Sequence, residues 1–573
     1  VIANYVGGNE ENFVLMMNKK AKELGMNNTV FNNHFIFVSG NLMYKTQDMN
    51  IKSIIITLVM CAVASTIEVV ACTGLIAGKA ATTDGSAMVT YAADSHTLYG
   101  ELYNQPAADY PEGAMRKVIE WDTGKYLGEI PEVAHTYRTI GNMNEHGLVI
   151  VESTWGGREE LVDTTGIIDY GSLIYISLQR AKTAREAITV MTNLVKDYGY
   201  ASSGESFTIA DPNEVWIMEL IGKGGKEKGA VWVAIRVPDD CISGHANHSR
   251  IHRFPLKDKE NCIYSPDVIK FARKQGYFNG KDEEFSFSLA YAITDASALR
   301  GCDARVWSYY NRFADGMDVY LPWVLKGEGE VLPLWVKPTR KVGVRDMQNM
   351  MRDHFEGTPL DMTQDIGAGA FKLPYRWRPL TYKVDGKEYT HERAIATQQT
   401  GFSLVAQLRH DKPDYMKTIL WFGVDDANTC VYIPFYNCTK SVPHEFAVGN
   451  GDLYNLSWDA AFWVTNYVSN QTYQRYSLMI DDVRKVQTAL EDSIAIDVKV
   501  IEQEIAEFSP QIASGLLQDL SNIWSKKYVT QYKKLGDYLL VKYLDGNVKK
   551  EKTKKINFKE SPSGISGGLF LYL

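Results

Sequence analysis

The chain has 573 residues, 45% of them hydrophobic and 23% charged, a globular balance with ample material for a sizeable core. Its net charge of −8 lacks the basic excess that a nucleic-acid surface requires. Its seven cysteines (61, 72, 241, 262, 302, 430 and 438) show no Cys-x-x-Cys pair and no metal-ligand spacing, which argues against a dense disulfide framework and against a metal centre built on them.

In chain order, residues 11–33 (ENFVLMMNKKAKELGMNNTVFNN) resemble a helix-turn piece of the serine-type D-alanyl-D-alanine carboxypeptidases. The Ser-x-x-Lys and Lys-Thr-Gly motifs of that family are absent, so no such chemistry is assigned. Residues 1–48 are expected to be an upstream extension outside the mature enzyme. Met49 to Lys52 then supply a short positive region, and IIITLVMCAVA (54–64) an apolar core of signal-peptide length. That core is shorter than the ~20 residues of a membrane-spanning helix. Val69 and Ala71 occupy the −3 and −1 positions of a small-residue cleavage site before Cys72. Residues 49–71 therefore read as a cleaved signal peptide, with export to the periplasm or the medium as its consequence.

Strand-like runs follow at 147–154 (GLVIVEST), 206–211 (SFTIAD), 214–222 (EVWIMELIG) and 229–237 (GAVWVAIRV), the last two joined by a hairpin-type KGGKEK. Between them 172–200 reads as helix, with Thr183 to Glu186 as a capping box and Ala187, Val190 or Met191, Leu194 and Val195 at helical spacing. Further strands are expected in 418–436, and helices from Tyr473 to about Lys549. A layered α+β body results, with a domain over 72–480, a helical region over 481–550 and a Lys-rich tail over 551–573. Twelve Trp and 33 Tyr suit its large sheets.

Cys72 is where chemistry concentrates. If the chain is cut before it, the residue gains its own α-amine, whose ordinary pKa of about 7.7–8.0 leaves part of it neutral near physiological pH. Such an amine can take the proton of the thiol on the same residue, and a thiolate can attack an amide to give a thioester that water then hydrolyses. A donor such as an Asn side chain must hold the oxyanion.

CTGLIAGKAATTDGS (72–86) with ADS (93–95) resembles the start of the cysteine-type N-terminal-nucleophile (Ntn) hydrolases, in particular their dipeptidase family, related to bile-salt hydrolases and penicillin V acylases. Ordered blocks extend the resemblance to about residue 480: GNMNEHGLVIVEST (141–154), GESFTIADPNEVWIMEL (204–220), SGHANHSRI (243–251), MRDHFEGTPLDM (351–362) and ATQQTGFSLVAQLR (396–409). The resemblance implies a four-layer α-β-β-α sandwich of two antiparallel sheets, dipeptide or short-peptide substrates, and no metal or organic cofactor. It makes Cys72 the nucleophile and base donor, Asp94 the carboxylate holding the amino terminus, Asn247 the oxyanion donor and Arg305 an arginine beside the nucleophile. Two positions depart from the relatives: Tyr91 stands where they place Arg, and Thr154 where the bile-salt enzymes carry Asn. The second turns the reading away from bile salts.

Two other readings remain: an acylase of small amides such as penicillin V or conjugated bile acids, and a lipid-anchored, non-catalytic peptide-binding protein. VVAC is a tolerable lipidation motif, although Glu68 interrupts the apolar run and acylation would consume both thiol and amine. Assembly into homo-oligomers is left open. His245, His248 and His252 would share one face of a helix, but no such helix is assured and no further ligand lies near. DIGAGAFKLP (365–374) lacks a phosphate-loop Lys, and Asp425–Asp426 reads as a strand-end turn.

Overall fold

The computed structural model describes residue 19 and residues 72–376 and 380–547. Apart from residue 19, the expected upstream extension, the signal peptide and the 551–573 tail lie outside the described residues.

The apolar runs become strands of two large antiparallel sheets. The main strands and helices, in chain order, are β1 (Gly74–Ala77), β2 (Ala87–Asp94), β3 (Val149–Gly156), α1 (Tyr170–Arg180), α2 (Ala184–Tyr198), β4 (Gly204–Ala210), β5 (Val215–Gly222), β6 (Ala230–Arg236), β7 (Ile242–His245), α3 (Ala304–Phe313), β8 (Thr400–Leu408), β9 (Thr418–Val424), β10 (Ile433–Tyr436), α4 (Ala461–Gln474), α5 (Tyr476–Glu504) and α6 (Pro510–Lys542). The seven-stranded sheet runs in the order Trp335–Val336, β7, β1, β2, β8, β9, β10. The eight-stranded sheet begins with Cys262–Tyr264, β6, β5, β4 and β3, and ends with Met143–Asn144, Thr139–Ile140 and Asn104–Gln105, each two residues long.

Alternation along each strand decides what packs where. Val149 and Val151 of β3, with Ile217 of β5 and Val233 of β6, join Leu75, Val89 and Leu404 of the first sheet in one core. The intervening Ile150, Phe207, Trp216 and Met218 turn the other way, onto Leu173 and Ile176 of α1 and Ala187 and Met191 of α2. Trp524 and Tyr528 of α6 and Val464 of α4 cover the first sheet, so the C-terminal helices share its core.

The expected single helix over 172–200 is two. Thr183 caps α2 by accepting from the Glu186 amide at 3.3 Å, which requires an extended backbone and so ends the helical run at Arg180. The Glu186 carboxylate reaches the Lys182 amide at 2.8 Å rather than that of Thr183, a shifted form of the capping box. The terminal helical region starts at Ala461, twelve residues before Tyr473. Its polar and aromatic residues Asn466, Tyr467 and Gln471 hide the apolar periodicity from the sequence.

Candidate active site

Cys72 lies two residues before β1, and a bridge between Thr73 and Ala92 of β2 fixes its backbone at the centre of the first sheet. Gly74 permits this placement. It pairs with His245 of β7, whose ring lies so close that a Cβ on residue 74 would sit 2.8 Å from it. That ring is clamped between Ser153 Oγ at 2.6 Å and Thr208 Oγ1 at 2.7 Å, which ties the two sheets together beside Cys72. Burial, with Arg250 and Arg305 nearby, lowers the His245 pKa to about 3, so the imidazole is neutral.

Arg305 gathers two of the other sequence-flagged residues, Cys72 and Asn247. It stands in the first turn of α3, after a wide π turn over Leu299–Asp303 that a regular helix would not make. Its guanidinium, 1% exposed, donates to the Cys72 carbonyl at 2.8 Å and Thr73 Oγ1 at 2.7 Å through Nη1. Through Nη2 it donates to the Ala246 carbonyl at 3.0 Å and Asn247 Oδ1 at 2.9 Å. Five fixed N–H donors suit a guanidinium, and not an ammonium, to this fork. Asn247 has φ of 59°, a left-handed conformation that Asn tolerates, and its Nδ2 donates to the Thr154 carbonyl at 2.6 Å.

Asp94 ends β2 with both oxygens engaged: Arg393 donates to one at 2.5 Å and Thr400 Oγ1 to the other at 2.6 Å. Thr400 is its register partner on β8. Burial raises the Asp94 pKa against the opposing pull of Arg393 and Thr400. Tyr91, where an arginine was expected by resemblance, donates to Glu152 Oε1 at 2.5 Å and has its hydroxyl 3.6 Å from Cys72 Sγ. Thr154 donates to Glu205 Oε1 at 2.6 Å.

The thiol itself is fully buried. It donates to Glu152 Oε1 at 3.3 Å, and burial, then the carboxylates of Glu152 and Asp94, push its pKa well up. In the uncut chain the thiol is thus held protonated. Glu152 and Glu205 are a tight buried pair: burial raises both, Glu205 further because Glu152 stands beside it. Two carboxyls so placed share a proton.

Glu152, Glu205, Arg393 and Thr400 were not singled out in the sequence. A lone carboxylate inside an apolar strand run, as in GLVIVEST, was the available signal, because burying one is costly unless something compensates it. His248 forms an ion pair with Asp303 at 2.9 Å, and His252 bonds to Ser286 at 3.1 Å. Among the described residues no group of three or more His, Cys, Asp or Glu could hold a metal. Asp425 and Asp426 do form a strand-end turn, but a buried one, with Asn466 and Ser469 on the first and Tyr375 and Tyr473 on the second.

Residues 71–489 match peptidase family C69, a match that begins one residue before Cys72. Residues 1–62 match the D-alanyl-D-alanine carboxypeptidases. A Latilactobacillus sakei protein named "Probable dipeptidase" is 27% identical over 391 residues, 65% of this chain and 75% of that protein. Its namesake from Salmonella dublin is 25% identical, covering 64% of this chain and 81% of its own length. "Probable dipeptidase A" of Streptococcus pyogenes is 21% identical over 80% of this chain and 99% of that protein.

Proposed function

Because the chain belongs to peptidase family C69, we propose that it hydrolyses dipeptides and similar short peptides, with Cys72 as an N-terminal nucleophile. The observation that carries this reading is the Arg305 fork, which ties the Cys72 carbonyl and the Asn247 side chain to one rigid cation. The names of the relatives support the substrate class. Two stacked antiparallel sheets with helices packed against each support the four-layer Ntn sandwich.

In this reading the Ala71–Cys72 bond masks the general base. Cutting it, after export or during it, frees an α-amine beside Asp94, toward which the pairing of Thr73 with Ala92 directs the start of β1. The freed amine is partly neutral near physiological pH, and the ammonium it becomes on taking a proton offsets the carboxylates that disfavour the thiolate beside it. The amine takes the thiol proton, and the thiolate attacks the peptide carbonyl. Asn247 Nδ2 supports the oxyanion, the ammonium returns its proton to the leaving amine, and water hydrolyses the thioester. Arg305 positions Cys72 and Asn247 relative to each other. Asp94, held by Arg393 and Thr400, anchors the amine.

The test is release of free amino acids from a dipeptide panel by the matured protein and by Cys72→Ala. Hydrolysis abolished in a variant that keeps the parent circular dichroism is the expected result. Undiminished hydrolysis by Cys72→Ala, or cleavage of penicillin V or bile-acid amides with dipeptides untouched, overturns the reading.

A further inference from the structure

The reaction written above makes no use of Glu205, nor of the second oxygen of Glu152. The two glutamates lie on neighbouring strands β3 and β4 and have no solvent exposure. Glu152 Oε1 takes hydrogen bonds from the Cys72 thiol and Tyr91, and Glu205 Oε1 takes one from Thr154. Oε2 of each is buried and takes no hydrogen bond from any other residue, so the two carboxyls have only each other. Among the described residues these are the only buried carboxylate oxygens left in that state.

Other buried acids show the contrast. Asp94 has both oxygens filled by Arg393 and Thr400, Glu219 by Ser249 and two backbone amides, and Asp303 by His248 and Trp323. Leaving two unfilled carboxylate oxygens at one spot is costly in a closed fold, and the shared proton relieves only part of that cost. The pair therefore has the chemistry of a site that awaits a cation with several donors.

Its position identifies the cation. In a peptide whose scissile carbonyl is approached by the thiolate at about 3–3.5 Å, the α-nitrogen of the first residue is one Cα further along, within about 5 Å of the sulfur. Glu152 Oε1 is 3.3 Å from Cys72 Sγ, with Glu205 directly beside it. Asp94, the other carboxylate near the thiol, is the one that anchors the Cys72 amine in the reading above, which leaves the glutamate pair for the substrate.

We infer that Glu152 and Glu205 form the recognition site for the free α-ammonium group of the substrate's first residue. The inference rests on the dipeptidase reading and deepens it. An ammonium offers three N–H donors, enough for both Oε2 atoms, and its charge replaces the shared proton, which leaves to solvent. An N-acylated or des-amino substrate supplies no such cation and leaves the pair unmet, so the site selects peptides with a free amino terminus.

The experiment compares kcat/KM of the matured enzyme for a dipeptide, its N-acetyl derivative and its des-amino analogue. The dipeptide is expected to be favoured by about 10²-fold or more, the size of effect seen where a buried polar site loses its partner. Glu205→Gln, which does not touch the thiol, is expected to cost the dipeptide about 10²-fold, expressed chiefly in KM. The same variant should change the des-amino rate by less than about 3-fold, a split that a merely structural role would not produce. The wild-type ratio stands by itself should Glu205→Gln fail to fold. Equal rates on all three compounds overturn the inference while leaving the dipeptidase reading intact. Cleavage of the des-amino compound alone, with the dipeptide untouched, overturns both.

Discussion

Replacing Arg305 by lysine keeps the charge and removes the fork. The guanidinium fills five acceptors, three buried (the carbonyls of Cys72 and Ala246, and Thr73 Oγ1) and two half-buried (the Gly301 carbonyl and Asn247 Oδ1). A lysine ammonium has three donors on one nitrogen, so at least two of the five lose their partner. Each orphaned acceptor costs about 1–3 kcal/mol, so the loss of two places Arg305→Lys about 2–6 kcal/mol below the parent in stability. Urea unfolding followed by tryptophan fluorescence reads this as a lower midpoint with an unchanged slope. Activity should fall more steeply than stability suggests. Cys72 and Asn247 lose their common anchor, and a displacement of about 1 Å at reacting groups can cost 10²-fold in rate. Dipeptide hydrolysis at a temperature where the variant is fully folded should therefore drop by about 10²-fold, mainly in kcat. A variant with parental midpoint and parental kcat/KM would refute the anchoring role and with it the geometric basis of the proposed site.

Gly74→Ala should cost about 1–3 kcal/mol, because its Cβ would meet a His245 ring held at both nitrogens. A double-mutant cycle with His245→Asn should show that cost shrinking when the ring is gone, whereas simple additivity would contradict the close-approach argument. Asp425 has its pKa raised from 3.8 to about 7, first by burial and then by Asp426. The folded state thus binds the proton more tightly than the unfolded one, and the stability this contributes is lost as pH rises from about 4 to about 7. Asp425→Asn, whose amide oxygen can accept from Asn466 while its NH2 donates to Ser469 Oγ, should recover about 1–3 kcal/mol at pH 8 and little at pH 4, as measured by thermal melts across pH. An equal shift at both pH values would contradict it. Prolonged dialysis against a chelator should leave hydrolysis unchanged; a loss restored by a divalent metal would revive the histidine cluster around His248.

Much of the scaffold was legible because β3 to β6 and β9 are long runs of β-branched and aromatic residues, each bounded by turn signals. The break between α1 and α2 was hidden because Ala181 and Lys182 carry no breaker, and only the extended backbone at Thr183 ends the run. The start of α4 was hidden by Asn and Gln at positions that face buried polar partners rather than solvent. Within the candidate site, Cys72, Asp94, Asn247 and Arg305 could be named from the resemblance. What the resemblance could not convey is who touches whom. Arg393 lies 299 residues from Asp94 and meets it only because β8 pairs with β2 in the observed register. Glu152 and Glu205 stand in quoted blocks, yet their pairing beside a thiol exists only once β3 and β4 pack across the start of β1. Charge in an apolar strand was the signal, and it says that compensation is needed without saying by what.

The most direct test of Cys72 as an N-terminal nucleophile is the mass of the amino-terminal peptide of the active, matured enzyme, read after labelling with a thiol-directed inhibitor. The expected result is a chain that begins at Cys72 with a free α-amine, carrying one label on that cysteine in proportion to lost activity. Full activity in a chain that begins upstream of Cys72, or in one whose Cys72 carries a diacylglyceryl group, would contradict it.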